Sequence, residues 1–267
     1  MISILPDLGE GEVQRGDSVR EVVHRGFFWP VPQAMPVLQQ GTIHVWAASL
    51  EGGDIGLRSS ILSSFELNRA LRFHFQRDRT RYINGRYLLR QLLAGYLKLD
   101  PASISLACDS FGKPRLGGRH HQNLQFNVTH SNEVALFAFS WGNELGIDIE
   151  HVRALPDLEL IAANFFTSSE RQAIFAMPRP LQPHGFFRCW TRKEAFLKAV
   201  GLGIANHLQD FEVSIEEKEC RLKLHPALKS CGQWHLANLN PAPGFAAAIS
   251  MKGNPYAIEQ YLCSGEI

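Results

Sequence analysis

The 267-residue chain has no CxxC pair, and its five cysteines (108, 189, 220, 231 and 263) are odd in number and scattered. A disulfide framework or a structural zinc site needs paired spacing, so reduced thiols and a cytoplasmic location are expected. Net charge is nearly absent as well: 27 Lys plus Arg against 26 Asp plus Glu leave +1. No global field therefore points to nucleic acid or to an acidic partner. Long apolar runs are missing; the longest, Val134 to Phe139 plus Trp141, falls far short of the roughly 20 residues a membrane span needs. The opening MISILPDLGEGEVQRG has neither the basic start nor the apolar run of a signal peptide. G-x-x-x-x-G-K-[ST], G-x-G-x-x-G, G-x-S-x-G and H-E-x-x-H do not occur, which disfavours P-loop, Rossmann, hydrolase-elbow and zinc-protease readings. What remains is a folded chain. Apolar residues make up 45% and charged residues 20%, enough for a core in one large domain or two ordinary ones.

Residues 1–41 combine early Gly and Asp breakers with Pro30, Pro32 and Pro36 and hold no sustained period. They read as an extension draped over the body, anchored by Phe27, Phe28 and Trp29. TIHVWAASL (42–50) alternates Ile43, Val45 and Ala47 against His44 and Trp46, a strand. Ser63-Ser-Phe-Glu66 has capping-box spacing and opens a helix carrying Leu67 and Leu71. Asp78 is placed to cap a second helix to about Leu97, with Tyr82, Leu89, Leu92 or Leu93, and Tyr96 on its buried stripe. Strands are expected near 103–107, 125–129 and 133–140. The order then repeats: a strand at LGIDIE (145–150), a short helix from Asp157, a capping box at Thr167-Ser-Ser-Glu170, and a long helix over 185–200 ending at Gly201. Strands follow near 211–215, 220–224, 234–239 and 245–250. The expected fold is α+β with two similar halves, 42–144 and 145–267, each placing helices on an antiparallel sheet. No residue-level repeat is visible.

Four clusters carry possible chemistry. Strand alternation puts Asp148 and Glu150 on one face, with Ile147 and Ile149 on the other. Two carboxylates that close repel unless water screens them or a cation sits between them, and Mg²⁺ needs only one or two carboxylates among its oxygen ligands. The plainer alternative is a solvated strand face. Trp190, Glu194 and Lys198 are four apart and line one helical face. That pattern suits an ordinary Glu–Lys pair, yet the large aromatic on the same stripe suggests the face turns inward, where an unpaired charge is costly. From Arg69 to Arg90 there are seven Arg against one Asp. This is either a wet helix face or a field for a polyphosphate, which guanidinium forks grip well. Gly112 and Pro114 make a turn that would present Lys113 outward, and His130 after its strand either meets a phosphate or caps the sheet edge. His120 and His121 read as surface.

In order, Phe111-Gly-Lys-Pro114, Phe126-Asn-Val-Thr-His-Ser131, Gly146-Ile-Asp-Ile-Glu150 and Trp190-Thr-Arg-Lys-Glu-Ala-Phe-Leu-Lys198 resemble the motifs of the Sfp-type 4′-phosphopantetheinyl transferases, most closely their cyanobacterial branch. The resemblance spans about residues 42–250. It implies two similar α+β halves with coenzyme A in the cleft between them, and transfer of 4′-phosphopantetheine to a serine of an acyl or peptidyl carrier protein. By the same resemblance Asp148, Glu150 and Glu194 hold Mg²⁺, and Lys198 assists the leaving phosphate. Arg69, Arg81, Lys113, Thr129 and His130 contact the coenzyme. Glu194 is the preferred base, with Glu150 or a water as alternatives. Two departures stand out: Thr129 replaces the usual serine, and Glu66 stands where some members carry a basic residue. Neither nucleic acid nor membrane is an expected partner, and a monomer suffices to build the cleft. The rival readings are a metal-dependent coenzyme A pyrophosphohydrolase and a non-enzymatic basic binding module.

Overall fold

The first strand, β1 (Thr42–Ser49), is buried on both faces, which its alternation alone does not require. The reason is layering, seen in a computed structural model that describes residues 26–108, 112–117, 123–202, 207–225, 228, 232–255 and 257–264. After β1 come α1 (Ile55–Ser59), α2 (Ser64–Ala70), α3 (Gln76–Leu97), the ribbon β2 (Leu106–Cys108) and β3 (Pro114–Leu116), then β4 (Leu124–Ser131) and β5 (Val134–Trp141). The second half runs β6 (Leu145–His151), α4 (Leu158–Phe165), α5 (Ser168–Phe175), α6 (Gln182–Val200), the ribbon β7 (Phe211–Val213) and β8 (Leu222–Leu224), then β9 (Trp234–Leu239) and β10 (Phe245–Lys252). A last strand, β11 (Ala257–Leu262), pairs in parallel with β1.

The two halves share one topology. β1 is antiparallel to β5 and β5 to β4; β6 is antiparallel to β10 and β10 to β9. Between the sheets lies a middle layer in which Ile43, Val45, Leu136 and Ala138 meet Ile147, Ile149, Ile249 and Met251. Outside the first sheet, Trp46, Phe137 and Phe139 pack on Leu88, Leu89, Leu92 and Leu93 of α3. Outside the second, Phe186, Phe187, Trp190, Phe196 and Leu197 of α6 pack with Phe166, Ile174 and Phe211. Each such side chain contributes roughly 1.5–3 kcal/mol by leaving water, so most of the folding free energy sits in these three layers. Gly146 lets α6 approach β6: a Cβ there would lie 2.3 Å from the Ala195 carbonyl oxygen.

The duplication reaches individual residues. Ser63 and Glu66 form a complete capping box at α2, and Thr167 and Glu170 form another at α5. Each box glutamate also binds a buried cation from the long helix of its own half. Glu66 takes Arg90 at 2.6 Å and Arg86 at 2.7 Å; Glu170 takes Lys193 at 2.9 Å. Those cations then satisfy carbonyls beyond the helix: Arg90 donates to Pro101 and Ile104, Lys193 to Leu208 and Phe211. Arginine in one half and lysine in the other hide the repeat from a sequence comparison.

Some local expectations change. α3 starts at Gln76 with Phe75 as its uncapped entry residue, so Asp78 lies within the first turn, where a carboxylate still suits the helix dipole. Leu71 is 67% exposed rather than core-facing. In the extension Trp29 is buried in the middle layer and Phe27 packs against it, whereas the Phe28 side chain is 64% exposed and that residue holds on through its backbone N–H, which donates to the Pro241 carbonyl at 3.1 Å. α1, β3 and β11 lie outside the expected elements; β11 shows incomplete alternation, with Gln260 on the face of Ile258 and Leu262. Residues 1–25, Phe111, His120, His121 and Cys231 lie outside the described residues. Cys108, Cys189, Cys220 and Cys263 form no disulfide.

Candidate functional site

β6 is flanked on one side by β10 and on the other by the face of β4. Its residues Gly146, Asp148 and Glu150 stand opposite Ser250, Ala248 and Ala246 of β10, all small, which leaves room in front of the acids. Both carboxylates are buried, so the solvated-face alternative is excluded. Glu194 and Lys198, one turn apart on α6, are buried over the same face. Trp190 is buried one turn earlier, among Phe165, Phe166 and Phe186. The stripe does turn inward.

At the centre, the Lys198 ammonium lies 2.5 Å from Asp148 Oδ1. Thr129 Oγ1 donates to the same oxygen at 3.1 Å and accepts from Lys198 at 3.4 Å. Asp148 Oδ2 is buried without a hydrogen-bond partner. Glu150 Oε2 accepts from Ser131 Oγ at 3.0 Å. Burial pushes the Asp148 carboxyl up, opposed by the Lys198 charge. Burial alone would lower Lys198, but Asp148 and Glu194 reverse this and keep it protonated. Burial, together with repulsion from Asp148 and Glu150, outweighs Lys198 and pushes Glu194 up to about 8. Three acids and one lysine are thus buried together, and ionising all three acids at once would leave negative charge that Lys198 alone cannot balance.

The basic candidates separate. Lys113 is not presented outward: it is half-buried, and its ammonium reaches the carbonyls of Lys198 (2.8 Å) and Leu145 (3.3 Å), clasping the first half to the second. Arg69 is exposed in the last turn of α2. Arg81 is half-buried and bonds Glu51 at 2.9 Å. Arg86 and Arg90 are consumed by Glu66, so the Arg69–Arg90 run is not one field but a structural pair and a partly paired surface. His130 is exposed at the end of β4, and what desolvation it has, together with the Lys198 and Arg81 charges, lowers its imidazole below the ordinary value. The sequence reading gave no individual role to Asn127 or Ser131. Asn127, Thr129 and Ser131 form a polar stripe at i, i+2 and i+4 beside apolar Phe126 and Val128, a signal legible in the alternation.

Among the described residues no cluster of three His, Cys, Asp or Glu side chains stands ready as a cation cage. The donors nonetheless suit Mg²⁺, which is held by one or two carboxylates plus ligand phosphates. The orphaned Asp148 oxygen, beside Glu194 and Glu150, offers that chemistry.

Fold and site define an α+β protein of two like halves with an acid–lysine cluster where they meet. Comparison with known proteins gives the particular family. Residues 46–141 match the family described as 4′-phosphopantetheinyl transferase, N-terminal, and residues 144–250 match the 4′-phosphopantetheinyl transferase superfamily. The 4′-phosphopantetheinyl transferase HetI of Nostoc is 37% identical over 84% of this chain and 93% of its own. The transferase Sfp of Bacillus subtilis is 27% identical over 71% of this chain and 82% of its own. A solved holo-[acyl-carrier-protein] synthase of Thermotoga maritima aligns with a TM-score of 0.33 at 25% identity, covering 42% of this chain and 63% of that one. The chain belongs to the 4′-phosphopantetheinyl transferase superfamily. No helix among the described residues is long and apolar enough to cross a membrane.

Proposed function

We propose that the protein transfers 4′-phosphopantetheine from coenzyme A to a serine hydroxyl of an apo acyl or peptidyl carrier protein. The serine oxygen bonds to the β-phosphorus, the pyrophosphate P–O bond breaks, and 3′,5′-ADP leaves. The observation that carries this reading is the buried set Asp148, Glu150, Glu194 and Lys198, with Asp148 Oδ2 unpartnered. Asp148, Glu150 and Glu194 would hold Mg²⁺, which supplies neutralisation of the pyrophosphate oxygens. Lys198, kept protonated by its acids, stands ready to neutralise the departing phosphate. Glu194 takes the serine proton; its carboxyl is held up at about 8 by burial without a cation, and a cation bound beside it would favour the ionised form that a base needs. Positioning and charge do most of the work, since no covalent enzyme intermediate is needed. His130, Arg81, Arg69, Lys113 and Thr129 would contact the coenzyme; Thr129 also steadies the Lys198 ammonium, and Lys113 the backbone carbonyl of Lys198. The test is incubation with coenzyme A, Mg²⁺ and a panel of apo carriers. A carrier gaining one phosphopantetheinyl group is expected; coenzyme cleavage without any carrier would favour hydrolysis.

For the carrier surface, Phe175 at the end of α5 is 37% exposed, and Leu181 is exposed in the turn before α6. Met177, between them in sequence, packs on the second-half core. Arg171 and Arg179 flank the patch and suit an acidic amphipathic helix. Phe175→Ala is expected to raise KM for the carrier several-fold and leave KM for coenzyme A unchanged in steady-state assays.

A further inference from the structure

The contact between the halves depends on side chains of β4. Two backbone N–H groups of β6 that face β4 are met by side chains: Ile147 N donates to Asn127 Oδ1 at 2.8 Å, and His151 N donates to Ser131 Oγ at 3.0 Å. Ser131 is therefore fixed twice. A hydroxyl has one proton and two lone pairs; with one lone pair engaged by His151, its proton goes to Glu150 Oε2 at 3.0 Å. Its backbone is equally constrained, because Ser131 pairs with Val134 in the last rung before the β4–β5 turn, where Asn132 adopts a left-handed φ of 51°. The hydroxyl is buried, contributed by the first half, and aimed at an acid of the second.

We propose that Ser131 is a positioning residue that orients the Glu150 carboxylate for cation binding, so that the cation site is complete only when the two halves are in register. This rests on the cation site of the proposed function. A hydrogen bond from a fixed donor selects one rotation of the carboxylate and so sets the direction from which it meets a cation. Groups that orient ligands in this way typically change metal affinity by 10- to 100-fold when removed.

The test is Mn²⁺ binding, followed by electron paramagnetic resonance of the free ion, to the full chain with coenzyme A present. Ser131→Ala is expected to weaken Mn²⁺ binding by about tenfold. Ser131→Thr, which keeps the hydroxyl on a strand that already carries Thr129, should restore most of the loss. In activity assays the half-saturating Mg²⁺ concentration of Ser131→Ala should rise while KM for coenzyme A at saturating Mg²⁺ stays unchanged. If Ser131→Ala is too unstable to assay, Ser131→Cys, of similar shape with a weak thiol donor, carries the same expectation. Wild-type Mn²⁺ affinity in the alanine variant, or no recovery with threonine, overturns the role of Ser131 while leaving the cation site standing, provided Glu150→Gln weakens binding. If the wild-type chain binds no Mn²⁺, the cation site and the Ser131 proposal both fall.

Discussion

Asp148→Asn and Glu194→Gln are each expected to lower carrier modification at least a hundredfold at ordinary Mg²⁺. Removing one preorganised electrostatic contact at a reacting centre typically costs about 10²–10³ in rate, and each of these variants removes a carboxylate proposed to hold the cation. The choice of substitution matters. Asp148→Ala would leave the Lys198 ammonium buried beside an empty space, and stranding one partner of a buried pair destabilises by roughly 3–5 kcal/mol. Asn keeps an acceptor for Lys198 and separates loss of chemistry from loss of fold. Glu194→Gln should do the reverse of destabilising, because the wild-type carboxylate is crowded by Asp148 and Glu150. The sign with pH follows. The folded-state carboxyl is raised from 4.5 to about 8, so between those values the folded chain binds more protons than the unfolded one. Stability without divalent cations should then decline as pH rises through that window, and the decline should flatten in Glu194→Gln. Mass spectrometry of the carrier and thermal melting across pH read both effects. Near-normal turnover in either variant would remove the acids from the reaction.

What was legible in the sequence was local. Both capping boxes, the inward stripe of α6, the Gly201 stop (φ 72°) and the common face of Asp148 and Glu150 all follow from spacings of two, three or four residues. The meeting of β6 with α6 is tertiary: Lys198 lies 50 positions after Asp148, and only the resemblance to a family joined them beforehand. Non-local pairing also explains the missed β11, whose partner β1 lies more than two hundred residues earlier. Turn chemistry located Lys113 correctly but said nothing of its direction, because the carbonyls that attract it belong to Leu145 and Lys198. The arginine run misled for a related reason. Counting charges cannot tell a guanidinium facing solvent from Arg90, which is buried against Glu66.

Glu66, which the sequence resemblance marked as a departure from a basic residue in some family members, carries a stability role in this structure. Its carboxylate accepts from Ser63 N, Ser63 Oγ, Arg86 and Arg90, so it serves the interior and not a nucleotide. Glu66→Ala would leave Arg90 buried with only the Pro101 and Ile104 carbonyls for its five N–H groups, and would also break the α2 capping box. The expected cost is about 3–5 kcal/mol from the orphaned charge, a fall in Tm of roughly 10 °C for a chain of this size. Arg69→Ala, one turn along the same helix but exposed, should stay within about 0.5 kcal/mol. Burial would raise the Glu66 carboxyl, but the Arg90 hydrogen bond and the Arg86 charge overcome it and hold the group below its ordinary 4.5. Its contribution is therefore present above pH 4.5 and is lost as pH falls through the lower folded value. The gap in melting temperature between wild type and Glu66→Ala should accordingly be widest near neutrality and close in acid. By the same duplication, Glu170→Ala should unseat Lys193 and produce a loss of similar size in the other half. A Glu66→Ala chain that melts with the wild type at pH 7 would show that Arg90 finds its partners elsewhere, and that the capping-box glutamates do not secure the long helices.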